Sequence, residues 1–145
     1  MRLVFSGHAR VNIQRVTLEN LGRHCQRHGN TGCFRHHGRW TQNNNELRVT
    51  FRPTIYLNSA LSGDALTDAQ AHEQRHYDDF LFRARQLQRN LNRITRQGRR
   101  QQQDPEMRIR WGWFLYDLCC DSRSYHQSIG SPVEICTTPS GLRPR

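Results

Sequence analysis

His72, Glu73 and His76 stand in an H-E-x-x-H pentad, His72-Glu73-Gln74-Arg75-His76, and these residue types at this spacing can handle a metal ion. In a helix, residues four apart share a face and lie about 6 Å apart along the axis, so both imidazoles can reach one cation. The glutamate beside the first histidine can then face water at that cation and take its proton. These are the minimal parts of a zinc-dependent peptidase. The alternative, two core histidines bonded to backbone carbonyls, is the weaker reading because it leaves the glutamate without a role.

The pentad needs a helix to carry it, and the flanking residues supply one. Thr67-Asp68-Ala69-Gln70 has the capping-box pattern, so a helix is expected from about Asp68 to Gln97, with Gly98 as its C-cap. Phe80, Ala84, Leu87, Leu91 and Ile94 recur at steps of 4, 3, 4 and 3, one continuous helical stripe. Stepping back by four from Phe80 reaches His76 and then His72, which places both rings toward the core. Arg85, Arg89, Arg93, Arg96 and Arg100 mark the opposite, solvated face.

Ahead of this helix, Ala9–Val16 alternates with period two and is expected to be a half-buried strand. Residues 23–46, rich in Gly, Asn, His and Arg, read as an irregular loop. Leu47–Leu57 alternates again, with Pro53 marking an edge or a bulge. An edge strand next to a metal helix could hold an extended peptide by adding it to the sheet. Downstream, Gln101–Pro105 reads as a polar linker. Arg108–Asp121, dense in aromatics, reads as a second helix, with a strand as the competing assignment. The class is α+β, a small twisted sheet packed on the long pentad helix and a second C-terminal helix.

The chain has 145 residues, 22 of them basic and 12 acidic, a net charge of +10, and every basic residue is Arg. That length suits one domain, 1–145, with a modest core. No run approaches the ~20 apolar residues needed to span a bilayer. The N-terminus has no long apolar segment, so no signal peptide is expected: the protein stays inside, is exported by another route, or is a domain of a longer chain. Genomic base composition accounts for the missing lysines; a toxin delivered into foreign cells would also gain from lacking them. The arginines are spread along the chain and concentrate on the outer helix face and at Arg99-Arg100. They predict nonspecific attraction to polyanions rather than specific readout.

A working zinc site needs a third protein ligand. Asp79 is excluded by geometry, since a continuous helix sets it about 10 Å along the axis from His72. Asp78 or Asp79 could instead orient a histidine or pair with Arg75 or Arg83. The ligand should come from downstream, and Glu106, Asp117, Asp121, His126 and Glu134 are the candidates. An oxyanion donor is also required, for which Tyr125, Tyr116 and Arg123 are the candidates in that order.

The block Ala71-His72-Glu73-Gln74-Arg75-His76-Tyr77-Asp78 resembles the H-E-Q-x-H-aromatic-D signature of small bacterial zincin-like metalloproteases, long catalogued as a domain of unknown function. Asp121-Ser122-Arg123-Ser124-Tyr125-His126 resembles the D-x-x-S/T-x-H element found downstream in that family. The resemblance spans about half the chain. It implies a zincin-like fold, bound Zn2+, a protein or peptide substrate, and His126 as the third ligand with Asp121 beside it. It also implies secretion, or delivery into a target cell as the toxin domain of a larger effector. Arg75 departs from the pattern, where the family favours a small residue.

Five cysteines make an odd set. Outside the cytosol, Cys25–Cys33 could clip a loop and Cys136 could bridge Cys119 or Cys120, leaving one thiol over. Cys25-x2-His28-x4-Cys33-x2-His36 also has zinc-compatible ligand types, although a disulfide there is the simpler expectation. Two rivals to the peptidase follow: a basic nucleic-acid-binding protein with a structural zinc in residues 24–37, and a catalytically inactive zincin scaffold.

Overall fold

The computed structural model describes residues 1–26, 30–97 and 103–139. Its elements run β1 (Arg2–Ser6), β2 (Asn12–Val16), α1 (Leu18–Cys25), β3 (Gly32–Arg35), β4 (Arg39–Gln42), β5 (Glu46–Thr50), β6 (Thr54–Asn58), α2 (Gly63–Arg96) and α3 (Gln103–Ser128). The class is α+β: among the described residues, two three-stranded sheets, ordered β1-β5-β4 and β2-β6-β3, and three helices. None of these helices is long and apolar enough to cross a membrane. The chain divides into two compact units, one formed by Ser6–Trp40 and Val49–Leu81, the other by Met1–Phe5, Thr41–Arg48 and the chain from Phe82 onward.

In the first of these units β6 is the central strand. It runs parallel to β2, with Ile13 opposite Ile55 and Arg15 opposite Leu57, and antiparallel to β3, with Cys33 opposite Tyr56. All five residues of Thr54-Ile55-Tyr56-Leu57-Asn58 are buried, because both faces are covered. Ile55 and Leu57 meet Ala69 and Leu66 from the start of α2 on one side, while Tyr56 on the other joins Leu21 and Cys25 of α1. A strand buried on both faces reads as a continuous apolar run rather than an alternation. The expectation of a peptide-binding edge strand before the metal helix is therefore corrected. Pro53 instead separates two strands, and β5 and β6 are each the middle strand of a sheet.

Other boundaries move for local reasons. The segment expected to be an irregular loop over 23–46 contains the end of α1, β3 and β4, and an additional strand, β1, precedes β2. Thr17 caps α1, its hydroxyl accepting from the Asn20 N–H at 3.3 Å, and Glu19 pairs with Arg23 one turn on. β2 is mostly exposed rather than half-buried, since as an edge strand it lacks a neighbour on one side. Helix α2 begins at Gly63, so Thr67 is not its N-cap; the Thr67 hydroxyl donates to the Gly63 carbonyl inside the first turns. Gly98, Arg99, Arg100 and His28 lie outside the described residues.

The stripe expected on α2 is present, with Phe80, Ala84, Leu87 and Leu91 buried, although Thr95 rather than Ile94 fills the last position. Phe80 is the hub of an aromatic nest. The His36 ring stacks on it within 3° of parallel, and the Phe51 and Phe34 rings meet it at 5.1 and 5.6 Å. Burial, reinforced by the charges of Arg35 and His37, lowers His36 to about 4, so it stacks as a neutral ring. Gly7 adopts φ +86° where a Cβ would run into the Phe51 carbonyl, so the close approach of these two segments requires glycine there.

Disulfides join Cys25 to Cys33 and Cys119 to Cys136, leaving Cys120 free. The first is buried and ties α1 to β3. For a loop closed by cysteines 8 apart in sequence, chain entropy predicts that Cys25→Ser/Cys33→Ser costs about 2–3 kcal/mol of stability. Urea denaturation of the oxidised wild type and the double variant measures that difference directly.

Candidate metal centre

His72, Glu73 and His76 occupy consecutive turns of α2, as the pentad spacing predicts. The two Nε2 atoms face each other at 3.1 Å, with ring planes 76° apart. Two nitrogens on one tetrahedral zinc lie about 3.3 Å apart, given Zn–N bonds of about 2.0–2.1 Å. Each histidine of the trio His72, His76 and His126 offers one nitrogen, and these atoms lie within 4.8 Å of one another, so the three could hold a metal ion. All three rings are half-buried, shielded yet reachable.

Glu73 supplies a second indication that the residues fit a cation. Only 5 % of it is exposed, its Oε1 lies 3.7 Å from His72 Nε2, and its Oε2 has no hydrogen-bond partner. A buried carboxylate oxygen without a partner is costly unless a positive charge or water meets it. Burial pushes the Glu73 carboxyl up to about 7.

That shift makes a prediction for the metal-free chain. The folded state holds the Glu73 proton more tightly than the unfolded state, whose carboxyl titrates near 4.5. The stabilising contribution is complete below pH 4.5 and is lost as pH rises to about 7. Glu73→Gln, which mimics the protonated form, should exceed wild type at pH 8 by about 3 kcal/mol and match it near pH 4.5. Urea midpoints in the presence of a chelator, taken at both pH values, decide the sign.

The downstream candidates now separate. Asp121 accepts two hydrogen bonds from Arg83, at 2.8 and 2.9 Å, and Asp117 lies 3.8 Å from the same guanidinium. Both serve an ion-pair cluster between α2 and α3. Glu134 instead accepts from His126 Nδ1 at 2.5 Å. Burial alone would raise the Glu134 carboxyl, but hydrogen bonds from Ser122 and His126 outweigh it and hold the group below its ordinary range. A neutral imidazole that donates from Nδ1 to such a carboxylate carries its lone pair on Nε2, the nitrogen then open to a metal. Glu106 is half-buried at the start of α3. Asp79, excluded as a ligand, pairs with Arg75 at 3.3 Å.

Helix α3 runs past the expected Asp121 end to Ser128, which puts His126 in its last turn. The helix then closes on a left-handed Gly130, φ +71°, with Gly130 N–H donating to Gln127 and Ser131 N–H to His126. This reversal turns the chain back along α3. Tyr125, next to His126, is half-buried with its ring 6.0 Å from the His126 ring. Tyr116 packs edge-on against Trp113, and Arg123 is exposed. Reasoning from the chain alone missed Glu134 as an orienting group; its one signal was a carboxylate two residues from a cysteine that could bridge back to α3.

The rival cluster over residues 24–37 loses its thiolates. Cys25 and Cys33 are bonded to each other, His36 is stacked in the aromatic nest, and His28 lies outside the described residues.

Comparison with protein-family models, with curated proteins and with solved structures finds no match to this chain.

Proposed function

We propose that this chain is a zinc-dependent peptidase of zincin-like design, with His72, His76 and His126 as metal ligands and Glu73 as general base. The observation that carries the reading is Glu73: a buried carboxylate with one unpartnered oxygen, on the helix turn between two converging imidazoles. A structural histidine cluster has no use for that group, whereas hydrolysis requires one. Three histidines leave a tetrahedral ion one open position, the arrangement of catalytic rather than structural zinc.

Bound zinc supplies Lewis acidity, polarising a carbonyl and making water acidic near neutral pH. The chain's own groups do the rest. Glu73 accepts the proton of the attacking water and passes it to the departing amine, a role suited to a carboxyl whose burial has moved it toward neutrality. Glu134 holds the His126 ring through Nδ1. Tyr125, beside that ring, is the group we assign to the developing oxyanion.

Protein or peptide is the substrate class. The two disulfides support work in an oxidising compartment, as a secreted or delivered effector or toxin domain. The +10 charge favours acidic stretches of substrate through long-range attraction. The test is direct: the oxidised protein, loaded with one equivalent of zinc, is incubated with an unfolded polypeptide and the products are read by mass spectrometry. Cleavage that stops with a chelator and returns with added zinc supports the proposal; an intact substrate at full zinc loading sinks it.

A further inference from the structure

We infer that Glu134 is a positioning residue for His126 and that the Cys119–Cys136 disulfide keeps it in place, so that metal retention depends on the oxidation state of that disulfide. The inference rests on the proposed metal site, and it adds a condition that the ligand set alone does not impose.

Glu134 has no helix or strand to hold it. Residues 131–139 form neither, Val133 is 47 % exposed and Ile135 is 88 % exposed, so apolar burial gives this segment little anchorage. Two features return it to α3. The reversal at Gly130 sends the chain back, and the bond to Cys119 fixes Cys136 at a Cα separation of 5.7 Å. Glu134 lies two residues from that anchor, within about 7 Å even of a fully extended chain. The disulfide thus confines its carboxylate to the neighbourhood of His126, where the 2.5 Å hydrogen bond forms.

The consequence for the imidazole is chemical. A neutral ring has one N–H and one lone pair, and the proton sits on the nitrogen that meets an acceptor. With Glu134 present the proton belongs on Nδ1 and the lone pair on Nε2. Without it, Nδ1 loses this acceptor, and the ring can take the other tautomer, which has no lone pair at Nε2. Losing such an orienting carboxylate typically weakens metal binding by about 10–100-fold.

The two disulfides are unequally protected. Cys25 and Cys33 are buried, at 0 % and 5 % exposure, whereas Cys119 and Cys136 are both half-exposed. A dithiol reductant therefore reaches the second pair first. Two electrons and two protons pass to the S–S bond, which opens to two thiols, while the reductant closes to its own disulfide. The tail is then released, Glu134 leaves His126, and the third ligand loses its orientation. A reducing compartment would hold the chain in a form with weakened metal affinity; oxidation would complete the site.

Zinc affinity, read by competition with a chromophoric chelator on the full chain, tests this. Glu134→Ala and Cys119→Ser/Cys136→Ser should each weaken binding by about 10–100-fold. The triple variant should be no weaker than Glu134→Ala alone, because disulfide and carboxylate act through one ring. Glu134→Gln should recover part of the loss, since its amide oxygen still accepts from Nδ1. Imidazole 15N shifts of the metal-free protein give a readout that fold damage alone does not imitate. Oxidised wild type should show His126 protonated on Nδ1, and dithiol-reduced wild type and Glu134→Ala should not. Wild-type affinity in Glu134→Ala or in the serine pair, or an unchanged His126 tautomer on reduction, overturns the inference while leaving the metal site intact. A wild-type chain that binds no zinc overturns the site itself.

Discussion

Glu73→Gln should lower peptide hydrolysis by about 10²–10⁴-fold, the range general acid–base catalysis contributes. Zinc content should stay unchanged. The substitution replaces one carboxylate oxygen by an amide group of nearly the same size, so the helix and the two imidazoles keep their places. What disappears is the ability to take a proton. The Glu73 carboxylate, with Oε2 buried and without a hydrogen-bond partner and Oε1 3.7 Å from His72 Nε2, has little structural work to lose. The outcome therefore separates a catalyst from an inactive scaffold: steady-state rates on a fluorogenic peptide, with metal content measured on the same samples, should diverge sharply. Equal rates for the two proteins would leave Glu73 without the role assigned to it.

Removing the imidazoles should produce the largest change in metal binding. Structural zinc sites bind with about 10–16 kcal/mol over four ligands, so each ligand accounts for roughly 3–4 kcal/mol, or about 10²–10³-fold in affinity. His72→Ala/His76→Ala should therefore weaken zinc binding by about 10⁴-fold or more. Dialysed protein should then contain no zinc by elemental analysis, against one equivalent in wild type. His126→Ala alone should sit between them. The rings are half-buried, so their loss should disturb stability far less than it disturbs the metal. A double variant that keeps its zinc would move the metal elsewhere in the chain.

Much of this centre is legible before any tertiary structure is known, because it is local. A rise of 1.5 Å and a turn of 100° per residue make His72 and His76 neighbours wherever the helix goes, and they separate Asp79 from His72 for the same reason. The stripe through Phe80, Ala84, Leu87 and Leu91 is similarly local, and all four are buried. The strand boundaries were less legible. Leu47–Leu57 alternates well enough to suggest one edge strand, yet Pro53 divides two central ones. Alternation reports which face of a strand is buried, and a strand covered on both faces has no such contrast to report.

By itself, then, the order of residues determined the pentad, the helix that presents it, and the short menu of cysteine and carboxylate partners. Tertiary structure decided which of those partners meet. Asp117 and Asp121 go to Arg83, Glu134 goes to His126, and Cys136 bonds Cys119 rather than Cys120. The physical reason is distance along the chain. Contacts within a helical turn follow from backbone geometry alone. A carboxylate beyond the helix end reaches its histidine only after a left-handed glycine has reversed the chain and a covalent bond has closed the loop.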